Sequence, residues 1–116
     1  MIIFLCLVAA VTDGDTLRCQ TGERVRIAGI EANELRGGCH IARCPAMPGP
    51  EARRVVERLT LRRTLSCEPV GRSYSRIVAR CSFSDGRDLR CAVLRAGAAV
   101  DWARYVVRYG LAPCAS

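Results

Sequence analysis

Asp13 and Asp15 bracket Gly14, and Glu31 and Glu34 stand three residues apart further along. Both carboxylates of the first pair can project from one tight turn. Hard divalent cations take several oxygen ligands, and clustered carboxylates supply both oxygen and charge. Taken alone, Asp-Gly is an ordinary turn dipeptide, and Glu31 and Glu34 read as solvated loop residues. The chemistry therefore depends on what stands beside these acids. All 18 basic residues are arginine and the net charge is +7. A guanidinium is a planar fork of donors that matches phosphate oxygens two at a time. The excess charge points to a polyanionic partner without separating nucleic acid from an anionic surface, and it also serves solubility.

The elements that must position these groups read as β-structure in the first half. Thr16–Gln20 alternates Leu17 and Cys19, residues 21–23 make a turn, and Arg24–Ile30 resumes. In that second run Val25 and Ile27 face the core, which places Arg24 and Arg26 on the opposite face. Periodicity stops between Leu35 and Pro50, an irregular glycine- and proline-rich loop. Gly49-Pro50-Glu51 starts a helix whose Ala52, Val55, Val56 and Leu59 form one apolar stripe. Leu65–Val70 and Arg76–Phe83 read as strands around a short connection. Asp88 caps a helix that stops at Gly97, and Trp102, Tyr105, Val106 and Tyr109 recur at helical spacing. This order fits an α+β, mainly β domain: a five-stranded OB-fold barrel with two to three packed helices.

Eight cysteines in 116 residues, an even number, favour disulfides and an extracytoplasmic, secreted or periplasmic location. Cys67 and Cys81 fall in neighbouring strands and make the first expected pair. Cys39 and Cys44 make the second, pinning the irregular loop, while Cys6, Cys19, Cys91 and Cys114 have no assignable partners. Zinc is disfavoured, since His40 is the single histidine and no second thiol pair has ligand spacing. His40 reads as a loop residue rather than a catalytic base. Residues 1–10 form an apolar segment that reads either as a signal h-region or as a first strand, too short to span a bilayer. Residues 11–116 then make one domain, expected to be monomeric.

Four blocks of the chain carry a family resemblance. They are Val11-Thr12-Asp13-Gly14-Asp15-Thr16 with Val25-Arg26-Ile27-Ala28-Gly29-Ile30-Glu31-Ala32-Asn33-Glu34, then Gly49-Pro50-Glu51-Ala52, Tyr74-Ser75-Arg76 and Leu94-Arg95-Ala96-Gly97. In order and spacing these resemble the thermonuclease (staphylococcal nuclease-like) family over roughly residues 11–105. The resemblance implies an OB-fold endonuclease that hydrolyses DNA and RNA phosphodiesters with calcium and little sequence preference. Position by position it implies Asp15 and Glu31 as calcium ligands, with Ala32 contributing its backbone carbonyl. Glu34 would be the general base or water-positioning carboxylate, Arg26 and Arg76 the phosphate clamp, and Tyr74 a neighbour of the nucleotide. The sequence departs from the family at Glu31, which replaces aspartate, and at Ala32-Asn33, which replaces Thr-Pro and removes a proline restraint. Ser75 replaces a glycine and would be strained if that position needs positive φ. These departures support an alternative, a catalytically weakened OB-fold module that binds nucleic acid without cutting it. Trp102 and Tyr105 have π-faces suited to a base, yet their helical spacing reads as core.

Overall fold

The computed structural model describes residues 2–115. Strand β1 (Phe4–Asp13) turns at Gly14 into β2 (Thr16–Cys19), which turns through Gly22 into β3 (Arg24–Ile27) and then the short β4 (Ile30–Glu31). A long loop leads to helix α1 (Gly49–Thr60), followed by β5 (Thr64–Ser73), β6 (Arg76–Ser82) and α2 (Leu89–Arg95). The short β7 (Val100–Asp101) and helix α3 (Ala103–Arg108) complete the chain. Five strands close into a barrel in the order β1-β2-β3-β6-β5. The β3–β6 pairing is parallel and the other pairings are antiparallel. This is the mainly β, α+β barrel of OB type that the residue pattern predicts.

β1 serves two neighbours. Phe4–Leu7 pairs with β5 and Val8–Asp13 pairs with β2, with register shifts after Val8 and Val11. Such irregularities bend a strand, which is how one strand can turn the corner of a closed barrel. Inside lie Val8, Val11, Leu17, Val25, Ile27 and Leu65, all essentially without solvent contact. α1 closes one end through Ala52, Val56 and Thr60, one helical turn apart. Asp88 caps α2 by accepting from the Cys91 N–H (3.0 Å), and Gly97 ends it with φ of 79°.

All eight cysteines are paired. Cys67–Cys81 and Cys39–Cys44 form as expected. Cys6–Cys19 and Cys91–Cys114 are the pairs the linear sequence left open. The first needs the β1–β2 register, which sets Val8 opposite Cys19. The second ties the C-terminal tail to α2. Four disulfides are the usage of an oxidising environment. Among the described residues no helix is long and apolar enough to cross a membrane.

Cys67 and Cys81 are direct cross-strand partners in the β5–β6 hairpin, fully buried at its base. Replacing both with alanine is expected to lower unfolding free energy by about 3 kcal/mol, the cost of releasing a loop of this length in the unfolded chain. Urea denaturation of the oxidised protein measures this, and an unchanged midpoint would refute it.

Candidate active site

Three pieces of backbone geometry bring the acids and arginines together. In the β1–β2 turn the Asp15 N–H donates to Asp13 Oδ1 (3.1 Å), which sets Asp13 as the supporting turn residue. Thr16 Oγ1 donates to Asp15 Oδ1 (3.0 Å) and the Ala32 N–H donates to Asp15 Oδ2 (3.1 Å). A Cβ at Gly14 would lie 2.7 Å from Ala32 Cβ and 3.0 Å from Ala52 Cβ. The turn thus needs glycine because it presses against the β4 exit and α1. Alanine at position 32 leaves only a methyl group at that contact.

The two-residue ladder of β4 and β7 sets Glu31 opposite Val100, and the Trp102 N–H donates to Gly29 O (2.8 Å). This seats α3 beside the acids. The barrel wall does the rest: Thr16 stands opposite Arg26, and Arg26 opposite Val78. Arg76 lies two residues before Val78 and so shares its face.

The result is one cavity of about 460 Å³. It is lined by Asp15, Arg26, Glu31, Ala32, Glu34, Tyr74 and Arg76, every residue the sequence singled out for catalysis, metal or substrate, with Asp13 beside them. A second cavity of about 330 Å³ lies between α2 and the C-terminal tail. Its buried Arg90 is already bonded to Asp101 and to Ala112 O, and none of the selected residues reaches it.

Arg26 is the electrostatic centre. Its Nη2 donates to Glu31 Oε1 (3.1 Å) and to Ile30 O (2.9 Å). Its Nη1 lies 2.8 Å from Asp15 Oδ2, a buried ion pair. Asp15 and Glu31 are only 6% and 2% exposed. Buried carboxylates are costly unless paired, and Arg26 pairs both. Arg76 is bound differently. It donates to Thr16 Oγ1 (3.2 Å), Ser73 Oγ (3.0 Å) and Ser73 O (3.4 Å), all neutral acceptors. Among the described residues it has no carboxylate within ion-pair distance.

Carboxylate oxygens such as those of Asp15, Glu31 and Glu34 are the donor type of a hard divalent cation, but among the described residues no three His, Cys, Asp or Glu side chains are grouped to hold a metal ion. The oxygens of two of them are also already engaged: Asp15 with Arg26 and Ala32, and Glu31 with Arg26 and His40. A cation fits this set only where these internal partners yield it an oxygen.

Burial pushes the Asp13 carboxyl up to about 7, helped by a hydrogen bond and charge repulsion from Asp15. Burial also pushes Asp15 up, but the Arg26 charge and hydrogen bonds from Asp13, Ala32 and Thr16 outweigh it and hold Asp15 below the usual carboxylate range. A carboxyl raised from 3.8 to about 7 favours the fold while protonated. That stability is present below pH 3.8 and is lost as pH rises through 7. Asp13→Asn keeps the acceptor and removes the titration. It is therefore expected to gain stability over wild type between these limits, on the order of 1.4 kcal/mol for each tenfold change in proton affinity, before solvent screening reduces it. Thermal unfolding in chelator from pH 4 to 8 measures the gap, and a pH-independent difference would rule out Asp13 as its source.

Several expectations are corrected. His40 is not a bystander of the loop: its ring Nδ1 lies 2.8 Å from Glu31 Oε2, its Nε2 lies 3.2 Å from Glu34 Oε1, and its backbone N–H donates to Glu31 Oε2 (2.7 Å). No periodicity signals this, because the disulfide-closed turn folds the ring back over the acids. The loop also keeps its restraint without proline. Buried Asn33 donates from Nδ2 to Pro45 O and to Met47 O, both at 2.8 Å, and so ties the far end of the loop to its start. Positive φ falls on Tyr74 (57°), not on Ser75. Tyr74, in the left-handed region, is 95% exposed at the tip of the β5–β6 hairpin, on the rim of the cavity. Trp102 and Tyr105 are not core residues. α3 buries no residue fully, and Trp102, Tyr105 and Tyr109 line the cavity with centroids 4.9 and 5.7 Å apart along the row.

Fold and site together define a small OB-type barrel with an acid–arginine cavity walled on one side by aromatic rings. No protein-family profile matches the chain. The chain is similar to the succinoglycan biosynthesis protein ExoI of Rhizobium meliloti (strain 1021), 34% identical over 96 residues that cover 80% of this chain and 50% of that protein. It thus spans about half the length of this curated relative.

Proposed function

We propose that this protein is a calcium-dependent phosphodiesterase of the thermonuclease type, cutting DNA and RNA with little sequence preference. The observation that carries the reading is convergence: Asp15, Arg26, Glu31, Glu34 and Arg76, drawn from four separate segments, line one cavity. Phosphodiester attack accumulates negative charge on the equatorial oxygens. Arg76, which among the described residues has no carboxylate within ion-pair distance, meets the phosphate first, and the Arg26 guanidinium in the same cavity adds positive charge. Among the described residues the Glu34 side chain has one polar contact, Oε1 to His40 Nε2. Its other oxygen orients a water for attack, so positioning contributes alongside proton transfer. Asp15 and Glu31, with the Ala32 backbone, would hold the cation, which supplies Lewis-acid charge when bound. Phosphate contacts carry no sequence information, so broad cleavage follows. With its disulfides, the protein works as a monomer in a secreted or periplasmic setting.

The test is cleavage of single-stranded DNA and of RNA by oxidised protein, with calcium and with chelator. Cleavage lost on chelation supports the reading, and robust cleavage in chelator overturns its metal dependence. One observation favours a second reading: Arg26 already pairs with Asp15 and Glu31, and His40 already stands against oxygens of Glu31 and Glu34. A module that binds nucleic acid without cutting it would show salt-sensitive binding and no scission. The name of the matched relative makes succinoglycan the comparison ligand in the same assays.

A further inference from the structure

We propose that His40 is the positioning residue of this site, orienting the carboxylate of Glu34, and that the Cys39–Cys44 disulfide exists to deliver it. The inference rests on the hydrolase reading above and deepens it. Glu34 is half exposed at the mouth of the cavity, and among the described residues its side chain has one polar contact, Oε1 to His40 Nε2 at 3.2 Å. A glutamate with one exposed tether samples many rotamers, whereas orienting a water demands one. The imidazole supplies the missing rigidity because it is itself held from behind. Glu31, buried and fixed by Arg26, accepts from the His40 backbone N–H on Oε2, and the ring Nδ1 lies 2.8 Å from the same oxygen. With Nδ1 and the backbone N–H both against Glu31, the ring brings Nε2 to 3.2 Å from Glu34 Oε1.

The loop is built to present that ring. The Glu34 N–H donates to Gly38 O (2.9 Å), Asn33 holds Pro45 and Met47, and the disulfide closes the turn that carries His40 between them. Cys44 is exposed and Cys39 only half-buried, while Cys6, Cys19, Cys67 and Cys81 lie in the core. The Cys39–Cys44 bridge therefore adds little to the barrel core, and its evident structural consequence is the place of His40.

The experiment compares His40→Ala, His40→Gln, His40→Asn and Cys39→Ser/Cys44→Ser by kcat and KM on single-stranded DNA, alone and in a Glu34→Gln background. The glutamine amide reaches the place of Nε2, and the asparagine amide reaches only that of Nδ1. Expected are a kcat loss for His40→Ala of about 10–100-fold with KM little changed, as for other residues that orient a catalytic group. His40→Gln restores most of that loss, His40→Asn does not, and the double serine variant resembles His40→Ala. In the Glu34→Gln background His40→Ala adds nothing further. Equal losses with and without Glu34, or better rescue by asparagine, overturn the proposal, and an unaltered kcat in the serine variant overturns the role of the disulfide. Nitrogen-15 spectra of His40 give a readout independent of turnover: Glu34→Gln must move the Nε2 resonance. Wild-type protein that does not cleave would refute the hydrolase reading. A static Nε2 resonance would refute the His40–Glu34 contact itself.

Discussion

Arg76→Ala is expected to lower kcat for phosphodiester cleavage by on the order of 10²–10³-fold, the loss seen when one preorganised donor to a developing oxyanion is removed. The expectation is strong because of what Arg76 does not do. Arg26 divides its charge between Asp15 and Glu31. Arg76 is held by Thr16 and Ser73 through neutral oxygens, so its fork is fixed in direction while, among the described residues, no carboxylate lies within ion-pair distance of it. A phosphate entering the cavity meets it without first breaking an ion pair. Arg76→Lys keeps the charge and loses the planar fork, so it should recover only part of the rate. Steady-state kinetics with calcium test this, alongside urea denaturation to show that the barrel is intact. Full activity in Arg76→Ala would remove Arg76 from the mechanism and return the basic wall to the binding-module reading.

Gly49→Ala should be the most disruptive single methyl in the molecule. A Cβ there would fall within 2.5 Å of the Glu34 carbonyl carbon and 2.9 Å of Leu35 Cα, closer still to the Glu34 carbonyl oxygen. These are backbone atoms and cannot rotate aside. The expected cost is about 3 kcal/mol, the upper end for overpacking a rigid contact. Because the displaced backbone is that of Glu34, cleavage should fall more than the loss of folded protein accounts for. Gly38→Ala is the control in the same loop, since its Cβ would meet only Cys44 Sγ at 3.7 Å. A Gly49→Ala protein with wild-type stability and rate would show that the base of the loop is slack.

The alternation of Leu17, Cys19, Val25 and Ile27 revealed two barrel strands and the outward face of Arg26, because a strand has a period of two residues regardless of what surrounds it. The α1 stripe and the Asp88 cap were legible for the same reason: their signals are local. Asp15, Glu31, Glu34 and Arg76 were chosen by the family resemblance rather than by residue type alone, and the cavity gathers them. Their ion pairing could not be chosen, since Arg26 reaches Asp15 and Glu31 only through the β2–β3–β6 register and the β4–β7 ladder.

Residue types and short-range periodicity, then, determined the barrel, its helices and the Cys67–Cys81 and Cys39–Cys44 pairs, and the order of the motifs, through the family resemblance, picked out the acids and arginines. Tertiary structure alone decided the Cys6–Cys19 and Cys91–Cys114 pairs, the aromatic wall of α3, the restraint supplied by Asn33 and the place of His40. The physical reason is range. Secondary structure follows from contacts a few residues long. A disulfide partner, a cavity wall or the neighbour of a carboxylate depends on where a closed barrel returns the chain.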